Sequence, residues 1–197
     1  MVFESRKWRL LLRAALLVGL GWAIIGWAGP ALYALQEPEP AALTSPAQLA
    51  DGALDGRFAT VAARPDLPHA VAVHSESTTV YWVPLAGFDH RLLVSTPGLA
   101  WQQTDPVPRF TGKIVSLATA PDAAAFKAVL DREQPDQTWL PQKEVYVLLE
   151  GEHPGTYRPM IPVVGALALL LIVVSVDLVR VWRRWPRRGV TRLPGAL

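Results

Sequence analysis

IPVVGALALLLIVVSVDLV, Ile161 to Val179, is a run of 19 residues that carries a single charge, Asp177. At about 1.5 Å of helical rise per residue it reaches roughly 28 Å, close to the ~30 Å hydrocarbon core of a bilayer. A helix buried in a soluble core normally keeps a polar stripe and runs shorter, and this run has none. A second block, LLLRAALLVGLGWAIIGWAGPAL (Leu10 to Leu32), is 23 residues long and equally apolar apart from Arg13. Together the two explain a composition that is high for a soluble domain, 51% hydrophobic over 197 residues with a mean hydropathy of +0.22. The sequence thus predicts a membrane protein with two transmembrane helices. The apolar part of the first block exceeds the roughly 7 to 15 residues of a signal-peptide core, so an uncleaved anchor is expected, although Gly29 and Ala31 satisfy the small-residue rule for cleavage.

Charge sets the expected orientation. Arg6, Lys7, Arg9 and Arg13 stand at the first block; Arg180, Arg183, Arg184, Arg187, Arg188 and Arg192 follow the second. Between Tyr33 and Pro159 there are nine basic residues against fifteen acidic ones, a net of −6. Short flanks rich in Lys and Arg stay on the cytoplasmic side, so both termini are expected inside and the acidic middle outside, in a bacterial-type inner membrane. The segment VRVWRRWPRRG (Val179 to Gly189) then reads as a headgroup anchor whose guanidinium groups attract anionic lipid. A pI of 9.1 invites a nucleic-acid reading, but the basic charge is confined to the membrane flanks and no groove-reading motif accompanies it.

The expected organisation is a cytoplasmic N-terminus (1–9), a first transmembrane helix (10–32), a linker (33–55), an extracytoplasmic β-rich domain (56–159), a second transmembrane helix (160–181) and a basic cytoplasmic tail (182–197). Interface anchors are expected at Trp8, Trp182, Arg183, Arg184, Trp185, Arg187 and Arg188 on the inner side and at Tyr33 and Tyr157 on the outer, since Trp and Tyr favour the headgroup level. Ala15, Gly19 and Ala23 recur every fourth residue and form a ridge that another backbone can approach, either the second helix of the same chain or a partner protein. Arg13 and Asp177 fall about one turn inside the inner boundary, where they can pair in an antiparallel hairpin or snorkel separately. A proton or ion path would need further polar steps, and the spans offer only Ser175.

Outside the membrane, QEPEPAALTSPAQLADG is Pro- and Ala-rich and without periodicity, as a linker would be. After it come short β-branched or aromatic runs bounded by Gly, Pro and Asp: RFATVAA (57–63), AVAVHS (70–75), TTVYWVPL (78–85), RLLVST (91–96), FTGKIVSLA (110–118) and VYVLLE (145–150). YWVPLAGFDHRLLVS predicts a hairpin around AGFD. PDAAAFKAVLDREQ predicts one helix with Ala125, Phe126, Val129 and Leu130 on a single face, ending before Pro135. Several strands with one late helix imply a small barrel or curled sheet plugged by that helix, in an OB-like layout.

The sequence offers few groupings that could carry chemistry. The chain has no cysteine and only two methionines, which removes thiol chemistry and soft-metal delivery. His69 and His74 are five apart and would point to opposite faces of one strand; His74 and Glu76 share a face but are too few for a site. His90 and His153 are expected to be exposed. Asp89 beside His90, with Ser95 and Thr96 downstream, is the nearest approach to an acid, base and hydroxyl grouping, and a turn-forming Asp is its ordinary use. Nucleophile elbows, Walker loops, HExxH and GxGxxG are absent. No catalytic, cofactor-binding or metal-ligating set is expected. Trp82, Trp101 and Trp139 lie in the outer domain, and Trp101 and Trp139, in Pro-flanked loop segments, are read as partner contacts or as plugs of a barrel end.

Two spans enclosing a β-rich outer domain, with YWVPLAGFDHRLLV as a strand-turn-strand, form a plan similar to that of the Surfeit family of oxidase assembly factors. The Arg-Gly-Trp that this family places after such a hairpin is here Ser95, Thr96, Pro97 and Gly98, so no residue role carries over. The residues favour a non-enzymatic accessory, assembly or scaffolding protein of a membrane complex, with the lipid bilayer and other membrane subunits as partners. The alternative is a membrane-anchored sensor or ligand-binding module, for which a cytoplasmic tail of about sixteen residues is short.

Overall fold

The computed structural model describes residues 2–49, 54–74, 78–98, 107–133 and 144–183. The chain divides into two compact units. One comprises residues 1–31 and 159–197, and the other residues 32–158.

The first unit holds helices α1 (Val2–Ala34, whose last turn belongs to the second unit) and α3 (Met160–Arg183). Two stretches are long and apolar enough to cross a membrane, Leu11–Ala34 and Pro154–Val181, with mean hydropathies of 1.8 and 2.6. Only 6% and 0% of their most apolar windows are covered, whereas a soluble core helix would be mostly buried. Trp22, Ile25, Leu32, Leu169 and Ile172 are each more than 60% exposed, which is a viable surface only against lipid or another apolar partner. Pro30, inside α1, has no N–H to donate to the carbonyl four residues back, and the helix ends one turn later at Ala34.

The second unit is one mixed sheet. Its strands are β1 (Ala41–Leu43), β2 (Phe58–Ala62), β3 (Val71–His74), β4 (Thr79–Pro84), β5 (Leu92–Thr96), β6 (Arg109–Ser116) and β7 (Tyr146–Glu150). The spatial order is β1-β2-β6-β7-β5-β4-β3, with β1/β2 and β5/β7 parallel and the other pairs antiparallel. The six strands expected from sequence are all present, each within about two residues of its expected ends.

Side-chain alternation divides the core in two. Ala59, Val61, Val83, Leu92, Val94, Phe110, Ile114, Tyr146 and Leu148 point to one face, closed by Leu43, Leu49 and Phe88. Val71, Val73, Trp82, Leu93, Val115, Val147 and Leu149 point to the other and are covered by Phe126 and Leu130 of α2 (Ala123–Glu133). Strands β5 and β7 are buried on both faces, which is why LLV and VYVLL read as unbroken apolar runs instead of alternating ones. Phe126 stacks on Trp82 with ring centroids 4.6 Å apart and planes at 16°, so Trp82 is a core residue, 1% exposed.

Two expectations are corrected. Among the described residues the sheet does not close into a barrel: its end strands, β1 and β3, are not paired with each other. The segment expected as a linker is part of the fold. Residues 41–43 form β1 in register with Ala59 to Val61, and Leu43 and Leu49 are buried. The Gln36 amide donates to the Gly56 carbonyl (2.8 Å) and accepts from the Phe58 N–H (3.1 Å), tying the end of α1 to the start of β2.

Candidate functional site

Within the helical unit, Arg13 Nη2 lies 2.9 Å from Asp177 Oδ2. Both residues are near the ends of their spans, where a single charge is cheaper than at mid-bilayer, and mutual neutralisation lowers the cost further. The half-covered residues of α1 include Arg13, Leu17, Leu20, Ile24 and Ala28, at the spacing of one helix face; on α3 Val164, Leu167, Leu171, Val174 and Leu178 follow the same spacing. The small-residue ridge falls elsewhere. Ala15 and Gly19 are exposed, Ala23 is half-covered, and a Cβ built on Gly19 meets nothing within 4 Å, so α3 does not seat against it. Ser175 donates to its own helix, to the Leu171 carbonyl at 2.7 Å.

Of the expected interface anchors, Trp8 is 65% exposed and Arg183 is exposed at the end of α3. Arg184, Trp185, Arg187 and Arg188 lie outside the described residues, as do Trp101, Trp139 and the Trp182 side chain. Tyr33 is 2% exposed, within the β unit. Its hydroxyl donates to the Glu152 carbonyl (2.9 Å), its ring meets Tyr157 edge-on at 5.6 Å, and the Lys113 ammonium lies 4.8 Å from its centroid. Tyr157 is half-covered beside it.

His74 and His153 are exposed, as expected, whereas His90 is half-covered. His74 Nδ1 meets the Thr79 hydroxyl at 2.9 Å across the β3–β4 hairpin, in an exposed position. His153 caps the short 3-10 turn Pro154–Tyr157 by accepting from the Gly155 N–H (2.9 Å), and its ring lies edge-on to Phe58. His69 and His90, however, converge. His69 ends a 3-10 turn, Leu67–His69, that follows Asp66, and in such a turn residues three apart eclipse. Asp66 Oδ2 therefore lies 2.8 Å from His69 Nδ1. His90 comes from the β4–β5 connection, with its Nδ1 3.7 Å from the same oxygen and its ring 5.5 Å from that of His69. One donor atom from each of the three side chains falls within 4.8 Å of the others.

Backbone contacts fix this meeting. The Asp66 N–H donates to the Pro84 carbonyl and the Ala86 N–H to the Arg64 carbonyl, both at 2.8 Å, around an isolated bridge between Pro65 and Leu85. The turn is locked beneath by buried Phe88 and by the Arg91 N–H bond to its carbonyl (2.8 Å). Asp89 and His90 both have left-handed backbones, φ +50° and +55°, a conformation that Asp and His adopt more readily than most residues. The acid-base-hydroxyl grouping of Asp89, His90, Ser95 and Thr96 is not assembled: the Thr96 hydroxyl is turned to the Gly98 carbonyl (2.8 Å), and His90 faces Asp66 and His69.

No protein-family model matches the chain, and neither a curated protein nor a solved structure is similar to it. Strand periodicity hid the histidine cluster, because His69 lies one residue before β3, on a turn to which strand faces do not apply. The usable signal was Asp66-Leu67-Pro68-His69, an Asp and a His three apart around a proline.

Proposed function

We propose that this chain is a non-enzymatic accessory or assembly subunit of a bacterial-type inner-membrane complex, its helices packing laterally and its β domain docking a partner outside. The observation that carries this reading is the uncovered ridge of Ala15 and Gly19. Small residues let helix backbones approach closely, and the chain's own second helix leaves these two exposed. The charge asymmetry supports both termini lying in the cytoplasm, with the basic tail against anionic headgroups.

The reading is tested by purifying the tagged full chain in mild detergent. Membrane proteins in fixed stoichiometry are expected to accompany it, and Gly19→Leu, which fills the ridge, is expected to strip them while leaving the chain folded. A lone monomer, or co-purification that Gly19→Leu leaves unchanged, contradicts it.

A further inference from the structure

We propose that Asp66, His69 and His90 form a binding site for one divalent transition-metal ion of the zinc type, in the β unit. Two imidazoles and a carboxylate are a donor set suited to Zn²⁺, Co²⁺, Ni²⁺ or Cu²⁺, and a chain without thiols holds such ions through nitrogen and oxygen. The geometry is close to what ligation needs. In a tetrahedral site with bonds of about 2.0–2.1 Å, neighbouring donors stand roughly 3.3 Å apart. Here Asp66 Oδ2 is 2.8 Å from one imidazole nitrogen and 3.7 Å from the other, each within about half an ångström of that spacing, and the donor atoms of all three side chains lie within 4.8 Å of one another.

The donors are also held in advance. Asp66 and His69 share one face of a single 3-10 turn, and the backbone bonds from Asp66 to Pro84 and from Ala86 to Arg64 clamp that turn to the connection carrying His90. The three side chains are between 23% and 37% exposed, which leaves solvent access for an ion and an open fourth position for water or a further ligand. Ligation through Nδ1 places the imidazole proton on Nε2, so the His69–Asp66 hydrogen bond is exchanged for two bonds to the metal without a redox step.

The test uses the full-length chain in detergent, with an affinity tag free of histidine. Co²⁺ is the probe, because its visible spectrum reports nitrogen and oxygen ligation, and Zn²⁺ is the competitor. One Co²⁺ per chain is expected, displaced by one Zn²⁺. His69→Gln, Asp66→Asn and His90→Asn should each weaken binding about tenfold or more, a ligand counting for at least as much as an outer-shell partner. Asn tolerates the left-handed backbone at position 90, and far-ultraviolet circular dichroism checks that each variant is folded. His74→Ala should bind as the wild type does.

A second measurement needs no substitution. Zn²⁺ should protect His69 and His90, but not His74, from acylation by diethylpyrocarbonate mapped by mass spectrometry. Wild-type affinity no better than that of the His69→Gln/His90→Asn pair, or equal modification of all three histidines with and without Zn²⁺, overturns the proposal.

Discussion

Gly112→Ala is expected to leave the β unit unfolded at temperatures where the wild-type unit is intact. Gly112 sits in mid-β6, paired to Glu150 of β7 and Ala59 of β2. A methyl group there would overlap the Leu149 carbonyl oxygen and stand 2.7 Å from its carbon, both of them backbone atoms at the centre of the sheet. Overpacking of flexible side chains costs about 1–3 kcal/mol, and here neither strand can yield without losing its register, so a loss of at least ~3 kcal/mol is expected. That is a large part of the ~5–15 kcal/mol that holds a typical domain together. Thermal melting of the full chain in detergent, followed by circular dichroism in the β region, measures it. Gly98→Ala is the control: nothing lies within 4 Å of a Cβ there, and its stability should change by no more than about 0.5 kcal/mol.

The second large effect is at the helix that covers the sheet. Phe126→Ala removes a ring that is 0% exposed and stacked on Trp82 of β4. Deleting a buried Phe costs about 3–5 kcal/mol, because the cavity left behind collapses only in part. Leu130, one turn on, is also buried, so α2 is expected to loosen as a unit. Besides the lower melting temperature, the near-ultraviolet signal of Trp82 should fade first. Lys127→Ala, on the exposed side of the same helix, should leave both unchanged.

These effects arise from features that the sequence displays unequally. Runs such as VYVLLE and TTVYWVPL announce strands because β-branched and aromatic residues fit a pleated surface, and each is a strand in the structure. Phe126 and Leu130 announce the buried face of α2 by their spacing. What is hidden is long-range pairing. Nothing in AAL (41–43) marks it as a strand; its place comes from parallel pairing with residues eighteen positions on, which leaves no local pattern. The parallel contact between β5 and β7 and the antiparallel pairing of β2 with β6 are likewise matters of topology.

The candidate site was legible in one half only. Arg13 and Asp177 stand out because a charge in an apolar helix is conspicuous, and the structure sets them 2.9 Å apart. His69 and His90 are 21 residues apart and meet only because the Pro65–Leu85 bridge folds one loop onto another. The exposure of the small-residue ridge depends on how the two helices rotate, which the sequence leaves open between an internal and an external neighbour.

Membrane topology underlies all of this, and the absence of cysteine gives each introduced thiol a clean background. Single variants Ser5→Cys, Ala118→Cys and Thr191→Cys, treated with a membrane-impermeant maleimide, measure it directly. Ala118→Cys should react in intact spheroplasts, and Ser5→Cys and Thr191→Cys only after lysis. Labelling of Thr191→Cys from outside, or an Ala118→Cys thiol that reacts only once the membrane is broken, contradicts a chain that crosses the bilayer twice with both ends in the cytoplasm.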